Sequence, residues 1–464
     1  MLKIIFLVLM SGGIPVAIAM AGASMIYLFW QDTTPPFVVI HRMVSGIDSF
    51  PLLAVPFFIL AGNLMNNAGI TNRIFNYALA LVGWLKGGLG HVNVIGSVIF
   101  AGMSGTAIAD AAGLGTVEIK AMKDHGYSSE FAVGVTAASA TLGPIIPPSL
   151  PFVIYGMMAN VSVGALFLAG ILPGVLMALL MMLTVAYFAH KNKWGADVKF
   201  EWPRVIKALI ETGVVVGWPL LLWFLITRLG FPPRSTVFAG LVLLFVADRV
   251  FAFQAVLPIM TPVLLIGGMT TGLFTPTEGA IAACVWAMVL GLLWYKTLSW
   301  KMFVKVCLET VETTATVLFI VAAASIFGWM LTATGVTAAI SEWVLGFTKE
   351  PWVFLLLANA LMLFVGCCLE PTAAITILVP ILVPICQKLG IDLVHFGLVM
   401  VLNLMIGLLH PPMGMVLFVL ARVAKLSVER TTMAILPWLI PLLGSLVIIT
   451  YFPKVVLWLP KQFY

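Results

Sequence analysis

A chain of 464 residues that is 62% hydrophobic and 9% charged, with a mean hydropathy of +1.14, lies outside the range of soluble domains, where about a quarter of residues are charged. The net charge of +6 has no basic cluster behind it that suits a nucleic acid, and the five cysteines, Cys284, Cys307, Cys367, Cys368 and Cys386, show neither CxxC nor Cys/His spacing and read as small buried hydrophobes. What remains is an all-α polytopic membrane protein: apolar runs reach the roughly 20 residues of a spanning helix, and none shows the ten-residue alternation of a barrel.

The first run, 3–30, reads as one crossing. Lys3, a short apolar core and the small residues Ala21–Ala23 resemble a signal peptide, but the run continues to Trp30, which favours a first membrane helix. A second crossing is expected over 50–68, then an amphipathic segment over 72–90, interrupted by Asn76, Trp84, Lys86 and glycines. Residues 92–122 must return to the face they entered, with Ser104, Gly105 and Thr106 breaking the helix and Asp110 following, as in a re-entrant hairpin. Residues 131–158 cross as a helix broken at SATLGPIIPPS, because adjacent prolines remove backbone donors inside an apolar run. Residues 163–189 return, 212–228 and 234–250 form another pair, and 256–273 carries the chain to the opposite face.

The punctuation then recurs. Ser139, Gly143, Pro147 and Pro148 have the spacing of Asn403, Gly407, Pro411 and Pro412, 264 residues on from 139 to 403; AGIT at 68–71 matches TGVT at 334–337, and GGIPVAIA at 12–19 matches FTPTEGAIA at 274–282. Crossings are expected over 277–296 and 309–331, an interfacial segment over 336–350, and a second hairpin over 352–388 with CCLEPTAA at its tip. A second broken helix over 396–420 and a crossing over 432–452 complete about eleven spans.

Lys/Arg-rich segments at 120–123, 191–207, 296–305 and 422–430 mark the cytoplasmic face, which puts the N-terminus in the cytoplasm and the C-terminus outside. The second copy therefore starts on the face opposite the first, and the repeats, 1–190 and 257–464, are inverted about a connecting segment with two scaffold helices, 191–256.

Broken backbone at membrane depth frees carbonyls that can hold a sodium ion, and half-helix N-termini that attract an anion. The candidate cation ligands are Ser104, Gly105, Thr106, Asp110, Ser139 and Gly143 in the first copy, and Asn403 and Gly407 in the second. Candidate substrate contacts are Ser149, Glu370, His410 and Pro412. Each has a structural alternative: Asp110 and Glu370 as helix caps, the hydroxyls and glycines as close-packing residues, His410 as a hydrogen-bonded core histidine. Thr275, Pro276 and Glu278 read first as a helix start.

Five stretches, SGTAIADAAGLGT (104–116), GYSSEFAVGVTAASATLGPIIPPSLPFVIYG (126–156), TPTEGA (275–280), LEPTAAITILVPILVP (369–384) and NLMIGLLHPPMG (403–414), resemble the large membrane subunit of the tripartite ATP-independent periplasmic (TRAP) transporters. The resemblance runs over nearly the whole chain. It implies a sodium-driven importer of organic acids, such as C4-dicarboxylates or sialic acids, in the bacterial inner membrane. It also implies an elevator motion, a small membrane subunit and a periplasmic binding protein that delivers the substrate. Two positions depart from the family pattern: His410 stands where threonine is usual before the second Pro-Pro, and Ile119-Lys120 where Ile-Pro is common. A stand-alone ion-coupled anion permease or exchanger is the alternative. An enzyme is not expected, since HExxH, a Ser/His/Asp set and a nucleotide-binding glycine loop are all missing from the sequence.

Overall fold

A computed structural model describes residues 1–31, 35, 37–228, 232–251, 253, 255–270, 273–410 and 414–463. The described residues form helices without a β-strand. Eight of those helices are long and apolar enough to cross a membrane.

The first crossing expected, 3–30, is instead two helices, α1 (Leu2–Ser11) and α2 (Val16–Gln31), packed on each other. Gly13 takes a left-handed φ of +78°, and Pro15 cannot donate to continue the ladder, so the chain turns there. A helix not foreseen, α3 (Phe37–Ile47), follows, and then α4 (Ala54–Asn67) and α5 (Ile70–Val82). Gly46 of α3 lies so close to Ser325 that a Cβ would collide, and Arg42 stacks 5.1 Å from the Trp329 ring.

The hairpin expected over 92–122 spans α6 (Gly88–Ser104), α7 (Ala107–Ala112) and α8 (Leu114–Asp124). Gly105, at φ +64°, makes the tip, and Thr106 caps α7 by accepting from the Ala109 amide at 3.3 Å. The broken helix comprises α9 (Ser129–Ala140) and α10 (Leu150–Ala159), with turns over 141–149 between them. Next come α11 (Val163–Lys191), α12 (Trp202–Thr227), α13 (Pro233–Phe251) and α14 (Val256–Thr270).

A capping box at Thr275 and Glu278 starts α15 (Pro276–Met288), which leads through a π-helical turn over 289–294 to α16 (Trp300–Ala333) and α17 (Val336–Phe347). The second hairpin is α18 (Pro351–Cys368) and α19 (Pro371–Lys388), joined by extended Leu369 and by Glu370. The second broken helix is α20 (Leu393–Gly407) and α21 (Met415–Ala424). The chain closes with α22 (Val428–Tyr451), α23 (Pro453–Leu457) and α24 (Pro460–Phe463).

The contacts at the helix ends show that the hairpins enter from opposite sides. At the open end of the first hairpin, the Gly87 amide donates to Gly195 O at 2.9 Å, Tyr127 Oη to Asp197 Oδ2 at 2.6 Å, and Lys123 Nζ to Ala424 O at 2.8 Å. This end carries three of the basic segments, 120–123, 191–207 and 422–430. At the open end of the second, Tyr155 Oη donates to Leu393 O at 2.7 Å, Lys388 Nζ to Ser341 Oγ at 3.1 Å, and His395 Nε2 lies 2.9 Å from Ile449 O. The two broken helices therefore run antiparallel between these ends.

Hairpins, broken helices, α11 and α22 share one core, in which Phe152, Phe167, Phe396 and Trp438 are almost wholly buried. Lipid tails are as apolar as these side chains, so close packing and interhelical hydrogen bonds hold this body together more than water exclusion does. By contrast α12 exposes Leu209, Ile210, Val216 and Leu220, as a helix facing lipid would. Of the cysteines, Cys284, Cys367 and Cys386 are buried as expected and all five are free, but Cys307 is half-buried and Cys368, at the second tip, is exposed.

Candidate functional site

A cavity of about 730 Å³ lies where the two hairpin tips meet α4 and α16. Ser104 and Thr106 come from the first tip, Glu370 and Thr372 from the second, and Pro144 from the first break; Asn63 and Asn66 project from α4. Among the described residues, no Lys, Arg or His lines it. The cavity extends to Asn67 and Asn72, beside Ala68, whose carbonyl accepts from Thr297 Oγ1 at 2.7 Å. Thr297 belongs to the basic segment 296–305, so the cavity reaches toward the end of the molecule that carries this segment.

At the first tip the carbonyls turn toward the broken helix. The Leu150 amide donates to Gly105 O at 3.4 Å, and a Cβ on Gly143 would sit 3.0 Å from Thr106 O, so the absence of a side chain at 143 lets the tip approach. Ser149 caps α10, accepting from the Phe152 amide at 3.3 Å while donating to Pro144 O at 2.5 Å. Ser104 Oγ is buried without a partner. The structure thus brings Ser104, Gly105, Thr106, Gly143 and Ser149 to one break, and supplies hydroxyl and carbonyl oxygens of the kind a hard cation takes.

The second tip is less complete. Glu370 caps α19, accepting from the Ala373 amide at 3.3 Å and from the Thr372 hydroxyl. Gly407 lies against the backbone of Gly366, and the His410 amide donates to Gly407 O at 2.9 Å. His410 is half-buried and does not line the cavity. Pro411 and Pro412 lie outside the described residues.

Asp110, one turn beyond the first tip with its amide donating to Thr106 O at 3.3 Å, and Ser139 do not line the cavity. Ser139 Oγ donates to Asn93 Oδ1 at 2.8 Å and accepts from Ser97 Oγ at 3.0 Å. Asn93 Nδ2 in turn donates to Glu118 Oε2 at 2.5 Å and to Thr136 Oγ1 at 2.8 Å, while Asp110 lies beside Ser97. Asn403 makes the corresponding bond in the second copy: its Nδ2 donates to Asn359 Oδ1 at 2.7 Å, and Asn359 Nδ2 donates to Thr450 Oγ1 at 3.1 Å. Asn403 Oδ1 is left buried and unpartnered. Both broken helices are thereby tied to the first arm of their own hairpin.

Glu118, Asn93, Ser97, Asn359 and the α4 asparagines do not emerge from the sequence pattern. Asn93 and Ser97 do carry a signal, polar residues four apart on one face of an apolar helix. Glu118 does not, because Lys120 and Lys123 beside it give it the appearance of a solvated acid.

The family description for the DctM component of tripartite ATP-independent periplasmic transporters matches residues 3–455. The chain belongs to this family. A Vibrio cholerae serotype O1 protein, the sialic acid TRAP transporter large permease SiaM, is 40% identical over 455 residues, covering 98% of this chain and 96% of that one. The C4-dicarboxylate TRAP transporter large permease DctM of Rhodobacter capsulatus is 32% identical over 471 residues, covering 98% and 97%. Among solved structures, the YdaH transporter of Alcanivorax borkumensis superposes with a TM-score of 0.57 over 92% of this chain and 89% of that one; at 14% identity the likeness concerns the fold. Like its relatives, this DctM-family chain is a multi-pass membrane transport component and not an enzyme.

Proposed function

We propose that the chain is the large permease subunit of a sodium-coupled tripartite importer, carrying an organic acid of the sialic acid or C4-dicarboxylate class. A small membrane subunit enlarges its scaffold, and a periplasmic binding protein delivers the acid. The observation that carries this reading is the cavity lining. It is framed by two hairpin tips and, among the described residues, is lined by no basic side chain, although a substrate carboxylate leaving water needs a compensating positive charge. Sodium at the carbonyl oxygens of Gly105 and Thr106, with the N-terminus of α19 lining the cavity, supplies that charge. Anion binding then depends on sodium, which is the requirement of symport.

The names of the V. cholerae and R. capsulatus relatives support the two substrate classes. In this scheme the hairpins and broken helices slide as one body past α4, α15 and α16. The test is uptake of labelled N-acetylneuraminate and of labelled succinate into proteoliposomes. One of them should accumulate only with an inward sodium gradient, the small subunit and the loaded binding protein all present. Accumulation by this chain alone would favour the stand-alone permease, and accumulation without sodium would remove the coupling.

A further inference from the structure

The first hairpin contains two buried carboxylates that the transport scheme leaves without a counter-charge. Asp110 on α7 and Glu118 on α8 are each 1% exposed, and neither has an ion-pair partner among the described residues. They lie close enough to repel each other. One oxygen of each, Asp110 Oδ2 and Glu118 Oε1, is buried with no hydrogen-bond partner. Glu118 Oε1 packs on the bare Cα of Gly96, where a Cβ would stand 2.7 Å from it. The Ser97 hydroxyl beside Asp110 is directed to Ser139.

Among the described residues, no neighbouring element supplies a cation. The helices α4 and α14 carry no charged residue, and the single charge on α9, Glu130, is exposed. Arg73 of α5 stacks 3.9 Å from the Tyr295 ring, and Lys123 of α8 is bonded to Ala424 O. Arg422 of α21 and His190 and Lys191 of α11 lie in the last turns of their helices. His91 of α6 is buried with its Nδ1 unpartnered. Two unpaired carboxylates in such a setting are among the most costly arrangements a membrane protein can hold.

The duplication does not account for the pair. Asp110 is four residues, and Glu118 twelve, beyond the cap Thr106; the same steps beyond the cap Glu370 reach Ala374 and Leu382, both buried and apolar. Neither carboxylate lines the central cavity.

We propose that Asp110 and Glu118 hold a sodium ion inside the first hairpin, away from the central cavity, with Glu118 as a ligand. The free carboxylate oxygens are hard donors of the kind a small hard cation takes. Counting bound sodium-22 on the purified full-length chain tests the assignment, together with thermal unfolding across a sodium series in which choline replaces sodium. Glu118→Gln keeps the shape and the bond from Asn93 while removing one charge. It should bind one sodium fewer, and in sodium-free buffer it should unfold at a higher temperature than the unsubstituted chain, since the repulsion is gone. Asp110→Asn should raise the sodium concentration for half-maximal stabilisation by about tenfold or more, following the loss of a charged ligand. An unchanged sodium count in Glu118→Gln overturns the proposal. So does a loss of stability that is equal at every sodium concentration, which marks a purely structural role, or stabilisation that follows calcium or pH in place of sodium.

Discussion

Ser139 and Asn403 show how one side chain links a broken helix to its hairpin. Ser139 both donates and accepts within the chain from Ser97 to Asn93, so Ser139→Ala leaves Asn93 Oδ1 buried without its donor, at a cost of about 1–3 kcal/mol. The hairpin arm that carries the first tip should loosen with it. Sodium-dependent uptake by Ser139→Ala and by Asn403→Ala is expected to need more sodium for half-maximal rate, with membrane insertion intact; an unchanged sodium dependence in both variants removes them from the coupling machinery. The repeat spacing made these two positions legible, along with Gly143 and the pair Pro147 and Pro148, and the break at 104–106 marked Gly105, because backbone breaks demand particular residue types. Glu118 was not legible: its partner Asn93 lies 25 residues away on another helix, and one sequence carries no sign of that meeting.

At the scale of helices, the packing of α9 on α22 depends on Gly134, where a Cβ would stand 2.5 Å from Trp438 Nε1. Gly134→Leu must push apart two helices of the main core, and overpacking of this kind costs about 1–3 kcal/mol. A lower unfolding temperature in detergent, with reduced yield from membranes, is the expected outcome; wild-type thermal stability would show that α22 can move aside freely. The hairpins and broken helices were readable to within a few residues because glycine, proline and capping residues mark their ends. Spanning helices were readable only in their apolar parts. The apolar run at 309–331 belongs to a helix of 34 residues, α16, which at about 1.5 Å per residue is longer than the roughly 30 Å hydrocarbon core, and its charged first turns are helical outside the pattern that hydropathy detects. The same effect extends α12 back to Trp202, past Lys207 and Glu211. The turn at Gly13 and the short helix α3 were missed for the opposite reason, since a single glycine and an eleven-residue run leave weak marks.

For the molecule as a whole, the elevator scheme requires α19 to slide against α17. The two meet at a second opening lined by Asn160, Thr337, Ser341 and Lys388, where Lys388 Nζ donates to Ser341 Oγ at 3.1 Å. Neither residue lines the central cavity, so tethering them leaves the substrate site itself unobstructed. In a chain whose five native cysteines are replaced by serine, the pair Ser341→Cys and Lys388→Cys can be joined by a short thiol-reactive bridge. Joined protein should still bind sodium, because the tips and the first hairpin are untouched, but should not complete transport, and cleaving the bridge with a reductant should restore uptake. The two measurements separate a blocked motion from a damaged site. Uptake at the unjoined rate by fully bridged protein would show that α17 and α19 travel together, and the boundary between moving and fixed parts would have to be redrawn with α17 on the moving side.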